Sequence, residues 1–124
     1  MKIFIEAVAG GEDEAAARRI RRDVFEREMG IAREPPEVSE GAAVGHVLAR
    51  AHPGREPVGT LSVLDTGGDA RLHEGYNLGF EPGARAARFT RLAVLKPFRG
   101  RNVPLMMALE AHRLFVAPRG FDYT

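Results

Sequence analysis

The stretch Arg91-Leu92-Ala93-Val94-Leu95-Lys96-Pro97-Phe98-Arg99-Gly100-Arg101-Asn102-Val103-Pro104 decides how this chain is read. An apolar strand pattern runs into a basic, glycine-containing turn, and the turn runs into a helix. The first amides of a helix have no intrahelical acceptor and point outward, so with the helix dipole they form a site for anions. Lys96, Arg99 and Arg101 add positive charge at that place, and a pyrophosphate is the natural ligand. A surface turn with solvated arginines accounts for the same residues equally well, because basic turns are common.

Outward from this stretch, Ala87 to Leu95 predicts a strand and Val103 to Ala117 a helix ended by Pro118 and Gly120. Phe121 to Thr124 reads as the opening of a further strand. On the other side, Asp65 to Arg85 is a long glycine- and charge-rich loop, a length that is often functional. Ala43 to Arg50 and Val58 to Leu64 form a hairpin around the turn at His52 to Pro57. Lys2 to Val8 alternates as a strand and Gly10-Gly11 breaks it. Glu12 to Met29 reads as a helix with an acidic first turn, stopped by Gly30. Pro35-Pro36 marks the loop that follows. The order β-α-β-β-β-α-β over residues 1–124 is one α+β domain, its sheet mixed and mostly antiparallel with flanking helices.

With 124 residues, 44% hydrophobic and 28% charged, the chain can build one core. A net charge of +1 gives no overall field toward nucleic acid or membrane. The absence of cysteine excludes disulfides, thiolate zinc sites and a cysteine nucleophile. No signal-peptide pattern and no run of membrane-spanning length is present, so a cytoplasmic location is the default. His46, His52, His73 and His112 show no metal-ligand spacing, and no metal is expected. His112 shares a helix face with Leu105, Leu109 and Val116 and reads as a packing histidine. Met106-Met107 reads as core filling.

Two arginines fall in apolar patterns. On the first helix, Ala17, Ile20, Val24 and Phe25 form a stripe, and helical spacing puts Arg21 and Glu28 in it. Arg21 either snorkels at the stripe's edge or faces a cavity between helix and sheet and pairs with an anion. Arg91 alternates with Phe89 and Ala93, while Thr90, Leu92 and Val94 face the other side. In a strand buried on both faces Arg91 needs a partner, and Glu28 is a candidate.

The turn resembles the acyl-CoA-binding motif of the GNAT acyltransferases, an arginine or glutamine followed at fixed spacing by two small residues. Arg99 matches the first position, Gly100 and Arg101 are spacers, and Asn102 and Pro104 stand where the family has small residues. Leu92-Ala93-Val94, Pro97-Phe98-Arg99-Gly100 and Glu56-Pro57-Val58-Gly59-Thr60-Leu61 are also similar to the family, over nearly the whole chain. The resemblance implies transfer of an acyl group from acyl-CoA, or from the phosphopantetheine of an acyl carrier protein, to a small-molecule amine. It assigns the donor to Leu92, Ala93, Val94, Arg99, Gly100, Arg101, Asn102, Val103 and Pro104. Asn102 is a good helix N-cap, but Pro104 supplies no N–H and so removes one phosphate donor.

A narrower resemblance lies in Ile20-Arg21, Phe25 and Gly30-Ile31, and in Thr90-Arg91-Leu92 with Val94. These are similar to the signatures of acyl-homoserine lactone synthases, whose branch includes long-chain N-acyl amino acid synthases. It implies Arg21 and Phe25 as acceptor-binding residues and an amino acid as acceptor. Ile31 stands where the lactone synthases have tryptophan and Arg88 where they have an acid, which points to an acyl-transferring cousin.

Amide formation from a thioester needs an amine that loses a proton, donors for the oxyanion and an acid for the thiolate. Thr90 holds the place of the glutamate base common in GNAT enzymes, and Glu28 is the nearest candidate to replace it. Glu28, Thr90 and Arg91 are therefore the candidate reaction-centre residues. The sequence stops before the GNAT fold is complete, so the isolated chain is expected either to be poorly stable or to be completed by another subunit, as in a homodimer. Two rivals stand beside the transferase: a non-catalytic acyl-CoA-binding module, and a nucleic-acid binder using the arginine-rich first helix. Near-neutral charge argues against the second.

Overall fold

The computed structural model describes residues 2–28, 30, 42–65 and 87–121. The expected loop after Asp65, the whole Pro35-Pro36 loop from Ala32 to Glu40, Ile31, and the strand opening after Phe121 lie outside the described residues.

The elements follow the expected order. Strand β1 is Lys2–Ala7 and helix α1 is Gly10–Arg21, which continues in a wider, π-type turn over Arg22–Glu28. Strands β2, Ala42–His52, and β3, Glu56–Asp65, make the hairpin, and β4 is Ala87–Val94. A short 3₁₀ turn, Lys96–Phe98, leads to helix α2, Val103–Ala111, with a second π-type turn over His112–Val116. The four strands pair antiparallel in sequence order β1-β2-β3-β4. This is the α+β sandwich of one sheet between two helices, and among the described residues its sheet is wholly antiparallel.

Strand β3 occupies the buried centre, since Val58 to Leu64 are all covered. Its run of branched residues suits a strand enclosed on both faces. Among the described residues strand β4 pairs only with β3, on one side. The two faces differ. Val47, Ala49, Val58, Leu61, Val63 and Val94 pack against Val103, Met107 and Ala111 of α2. Leu48 and Ala93 pack against Ala16, Ala17, Ile20 and Val24 of α1. Met107 is the core filler expected of it, fully buried. His112 is exposed, as are Leu105 and Leu109, so that side of α2 packs on nothing among the described residues and His112 is no packing histidine.

Helix α1 is held over the sheet by charge as well as by its stripe. Arg50 on β2 donates from Nε to Glu6 of β1 at 2.6 Å and from Nη2 to Asp13 of α1 at 2.7 Å. Its Nη1 donates to the Arg55 carbonyl at 2.9 Å, which ties in the hairpin turn. Asp13 also accepts from the backbone N–H of Ala9 at 3.0 Å, satisfying one of the open amides at the start of α1.

Candidate functional site

Strand β4 does not alternate as its sequence suggests. Thr60 pairs with Ala93 but Ser62 pairs with Thr90, so β4 carries one residue more than β3 between them. This is a β-bulge, and Arg91 adopts the left-handed conformation, φ 54°, that it requires. The bulge reverses the facing downstream. Phe89 and Val94 both join the α2 face while Ala93 packs under α1. Leu92 is pushed outward and is 44% exposed. Bulges of this kind re-aim side chains at sheet edges and beside active sites.

Beyond the bulge the chain makes the basic turn. Phe98 N–H donates to Leu95 at 2.9 Å and Arg99 N–H to Lys96 at 3.3 Å, which closes the 3₁₀ turn. Gly100 (φ 82°) and Asn102 (φ 59°) are both left-handed and flank Arg101. Among the described residues nothing accepts a hydrogen bond from the backbone N–H of Gly100, Arg101, Asn102 or Val103. Successive free amides alternating with left-handed residues at a helix start form a concave nest for anions. Asn102 stands at the N-cap position of α2, but its side chain makes no capping bond, which corrects the expected role. Its left-handed backbone differs from the extended conformation of a side-chain cap, and its carbonyl instead accepts from Met106 N–H at 3.0 Å. Pro104 falls in the first turn of α2, where its missing N–H costs no helical bond.

Arg99 is committed elsewhere than to the nest. Its guanidinium clasps both carboxylate oxygens of Glu28, Nη1 on Oε1 and Nη2 on Oε2 at 2.6 Å, and Nε donates to the Val94 carbonyl at 2.9 Å. The hydrogen bonds from Arg99 hold the Glu28 carboxyl below its ordinary range, aided by the charges of Arg99 and Lys96. A carboxylate stabilised in this way is a poor proton acceptor. The expectation that Glu28 lies in the apolar stripe therefore fails: it is exposed. The π-type turn from Arg22 supplies the reason, because its wider winding rotates the following residues off the helical face. Glu28 thus joins the candidate donor loop and not the expected reaction centre.

Arg21 does face a cavity. It is 8% exposed and lines a cleft of about 200 Å³ with Val8, Glu14, Ala17, Arg18 and His46. Phe25 packs in the α1-face cluster and does not line this cleft. His46 was not legible as a site residue from histidine spacing. It stands directly opposite Ser62 on β3, and its Nδ1 lies 2.7 Å from Ser62 Oγ. Ser62 stands opposite Thr90 on β4, so a polar row crosses three strands on the α1 face. The signal was available in the hairpin, where His46 and Ser62 are equidistant from Gly54.

The structure thus gathers the predicted residues into two places. Arg99 to Pro104, with Glu28, form the basic turn, and Arg21 with Phe25 lies under α1. Thr90, Arg91 and Leu92 span the bulge. Among the described residues no cluster of three or more histidines and acids is placed to hold a metal, and no helix is long and apolar enough to cross a membrane.

The four-stranded antiparallel sheet between two helices is a GNAT-like fold. Solved structures of acetyltransferases share this fold. One is a proposed N-acetyltransferase from Lactobacillus plantarum, 24% identical, TM-score 0.66, matched over 96% of this chain and 70% of that one. Another is an aminoglycoside acetyltransferase from an uncultured soil metagenomic sample, 16% identical, TM-score 0.63, matched over 99% and 77%. No family model and no curated protein sequence matches the chain.

Proposed function

We infer that the chain is an N-acyltransferase, taking an acyl group from acyl-CoA or from an acyl carrier protein's phosphopantetheine and placing it on an amine. The observation that carries this reading is the run of open amides from Gly100 to Val103, set just past the bulge of β4 in a fold shared with acetyltransferases. The donor's phosphate fits the nest, with Arg101 and Lys96 supplying charge. Its pantetheine arm runs along the outer edge of β4, where backbone groups of Leu92 to Val94 can hold it by strand-like hydrogen bonds. That lays the thioester beside Arg91 and Thr90.

The acceptor enters from the α1 face, where Arg21 and Phe25 stand. An amino acid suits a cleft lined by Arg18 and Arg21, since its carboxylate can accept hydrogen bonds from a guanidinium. Release of free thiol from acetyl-CoA, measured across a panel of amines and amino acids, tests the transfer. Titrating acyl-CoA against acyl carrier protein then separates the two donors.

A second reading is favoured by one observation. Thr90 cannot serve as a base, and Glu28, the candidate to replace one, is clasped by Arg99. A non-catalytic acyl-CoA-binding module would keep the nest and bind donor without turnover. Tight donor binding with no thiol release from any amine would establish it.

A further inference from the structure

Arg99 opens the basic turn, but its guanidinium bonds back onto β4 and onto the end of the π-type turn that follows α1. Leu95 N–H donates to the Val58 carbonyl at 2.9 Å, and Gly59 stands opposite Val94. In an antiparallel ladder this pattern points the N–H and C=O of Val94 away from β3. Arg99 Nε donates to that Val94 carbonyl at 2.9 Å. Its Nη1 and Nη2 hold the two carboxylate oxygens of Glu28. An ion pair whose side chains are 40% and 37% exposed adds little to stability. What these contacts supply is position, because a planar fork bound at its end and along its side is kept in one place. The guanidinium stands where a ligand's N–H would approach the Val94 carbonyl. The Val94 N–H on the same side has no strand partner among the described residues.

We propose that Arg99 is a positioning residue for the donor's arm: braced by Glu28, it covers the Val94 carbonyl, so the arm bonds β4 there only through a carbonyl of its own that accepts from Val94 N–H. The proposal rests on the transfer reading and deepens it. A partner laid along a strand ordinarily both gives and takes a hydrogen bond at each such residue. A pantetheine arm carries amides in series and could lie on β4 in more than one register. With the carbonyl covered, no amide N–H of the arm can dock at Val94, and the registers that need it are lost. When the arm's outer amide carbonyl sits on Val94 N–H, its sulfur lies roughly 10 Å farther along the extended arm. The strand from Val94 back to Arg91 also spans roughly 10 Å. The thioester is thereby delivered to the bulge. Arg99 acts on the reaction only through where it leaves the thioester.

The opposing role is one in which Arg99 leaves Glu28 and binds the donor's phosphate. Thiol release from acetyl-CoA and from S-acetylpantetheine, which has the arm and no phosphate, separates the two. Both donors are given to the full chain as wild type and as Arg99→Met, with the amine that wild type uses best. Arg99→Met is expected to lower kcat about tenfold on both donors, with the KM for acetyl-CoA changed less than about twofold. In the ¹⁵N-labelled wild type, pantetheine is expected to move the Val94 amide signal, and the Arg99 Nε–H signal is expected to persist when CoA is added. These two signals decide the assignment where Arg99→Met does not fold, or where wild type releases no thiol from one of the donors. A loss confined to acetyl-CoA and carried by KM, or no loss on either donor, overturns it. So does a Val94 signal that stays still with pantetheine, or an Arg99 Nε–H signal that CoA abolishes. No release from wild type with either donor and any amine removes the transfer reading, and the arm's placement is then judged on the two signals alone.

Discussion

The two faces of the sheet are built to different rules. The α2 face is closed and apolar: Val47, Val58, Val63, Val103 and Met107 are fully buried with no polar side chain among them. The α1 face has a smaller apolar cluster and sets Arg21, His46, Arg50 and Ser62 around it. Close packing gives one face its stability through buried area. The other gives up part of that area to hold polar groups in fixed geometry, and each must be satisfied or face a cleft. The comparison teaches where to look for chemistry in a small sheet: on the face whose core is interrupted.

Substitutions on the α2 face should cost stability and nothing else. Met107→Ala leaves a cavity in a fully buried position and is expected to lower unfolding free energy by about 2–5 kcal/mol in urea titration. Gly45→Ala places a Cβ where the Phe115 ring lies, with an expected loss of about 1–3 kcal/mol as the ring is displaced. If either variant altered turnover at a temperature where it stays folded, the division between the faces would break.

On the α1 face, Arg50→Met removes the side chain shared by Glu6, Asp13 and the Arg55 carbonyl. About 2 kcal/mol of stability is expected to go, because Asp13 is left half-buried without its cation. Glu28→Gln sharpens the comparison in another way. It releases Arg99 beside the nest and removes a negative charge there, so CoA is expected to bind roughly fivefold more tightly by calorimetry. A large fall in kcat from this variant, with binding unchanged, would return Glu28 to the role of base.

The smallest effect is a pH dependence. The hydrogen bond from the Ala9 amide, followed by those from Arg50, holds Asp13 below its ordinary value of 3.8. Its contribution is therefore present above that value and lost as pH falls through the lower folded one. Asp13→Asn is expected to flatten the stability curve below pH ~4 by under about 1 kcal/mol.

Strand and helix order were legible because alternation and helical stripes persist over whole elements, as in Lys2–Ala7 and Glu56–Asp65. The basic turn was legible because its residues are adjacent in sequence. Arg21 was legible as one of two cases, snorkelling at the stripe's edge or facing a cavity, because a charge within an apolar stripe has few resting places. What escaped depends on departures from ideal periods or on distant pairing. The bulge at Arg91 broke the alternation assumed for β4, and the local hint was the apolar run Leu92 to Leu95. The π-type turn moved Glu28 off its stripe and onto Arg99, 71 residues away, which no local pattern encodes. The side-chain cap expected of Asn102 failed because its backbone is left-handed, a conformation set by the turn and not by residue preference.

The central claim is that the amides after Arg99 receive the phosphate of an acyl carrier arm. Titrating CoA into the ¹⁵N-labelled chain and following its amide signals tests it most directly. Gly100, Arg101, Asn102 and Val103 are expected to show the largest shifts, saturating together, with Arg101→Ala weakening the binding. Signals from these four residues that stay in place while CoA binds, or no binding of CoA, would contradict it.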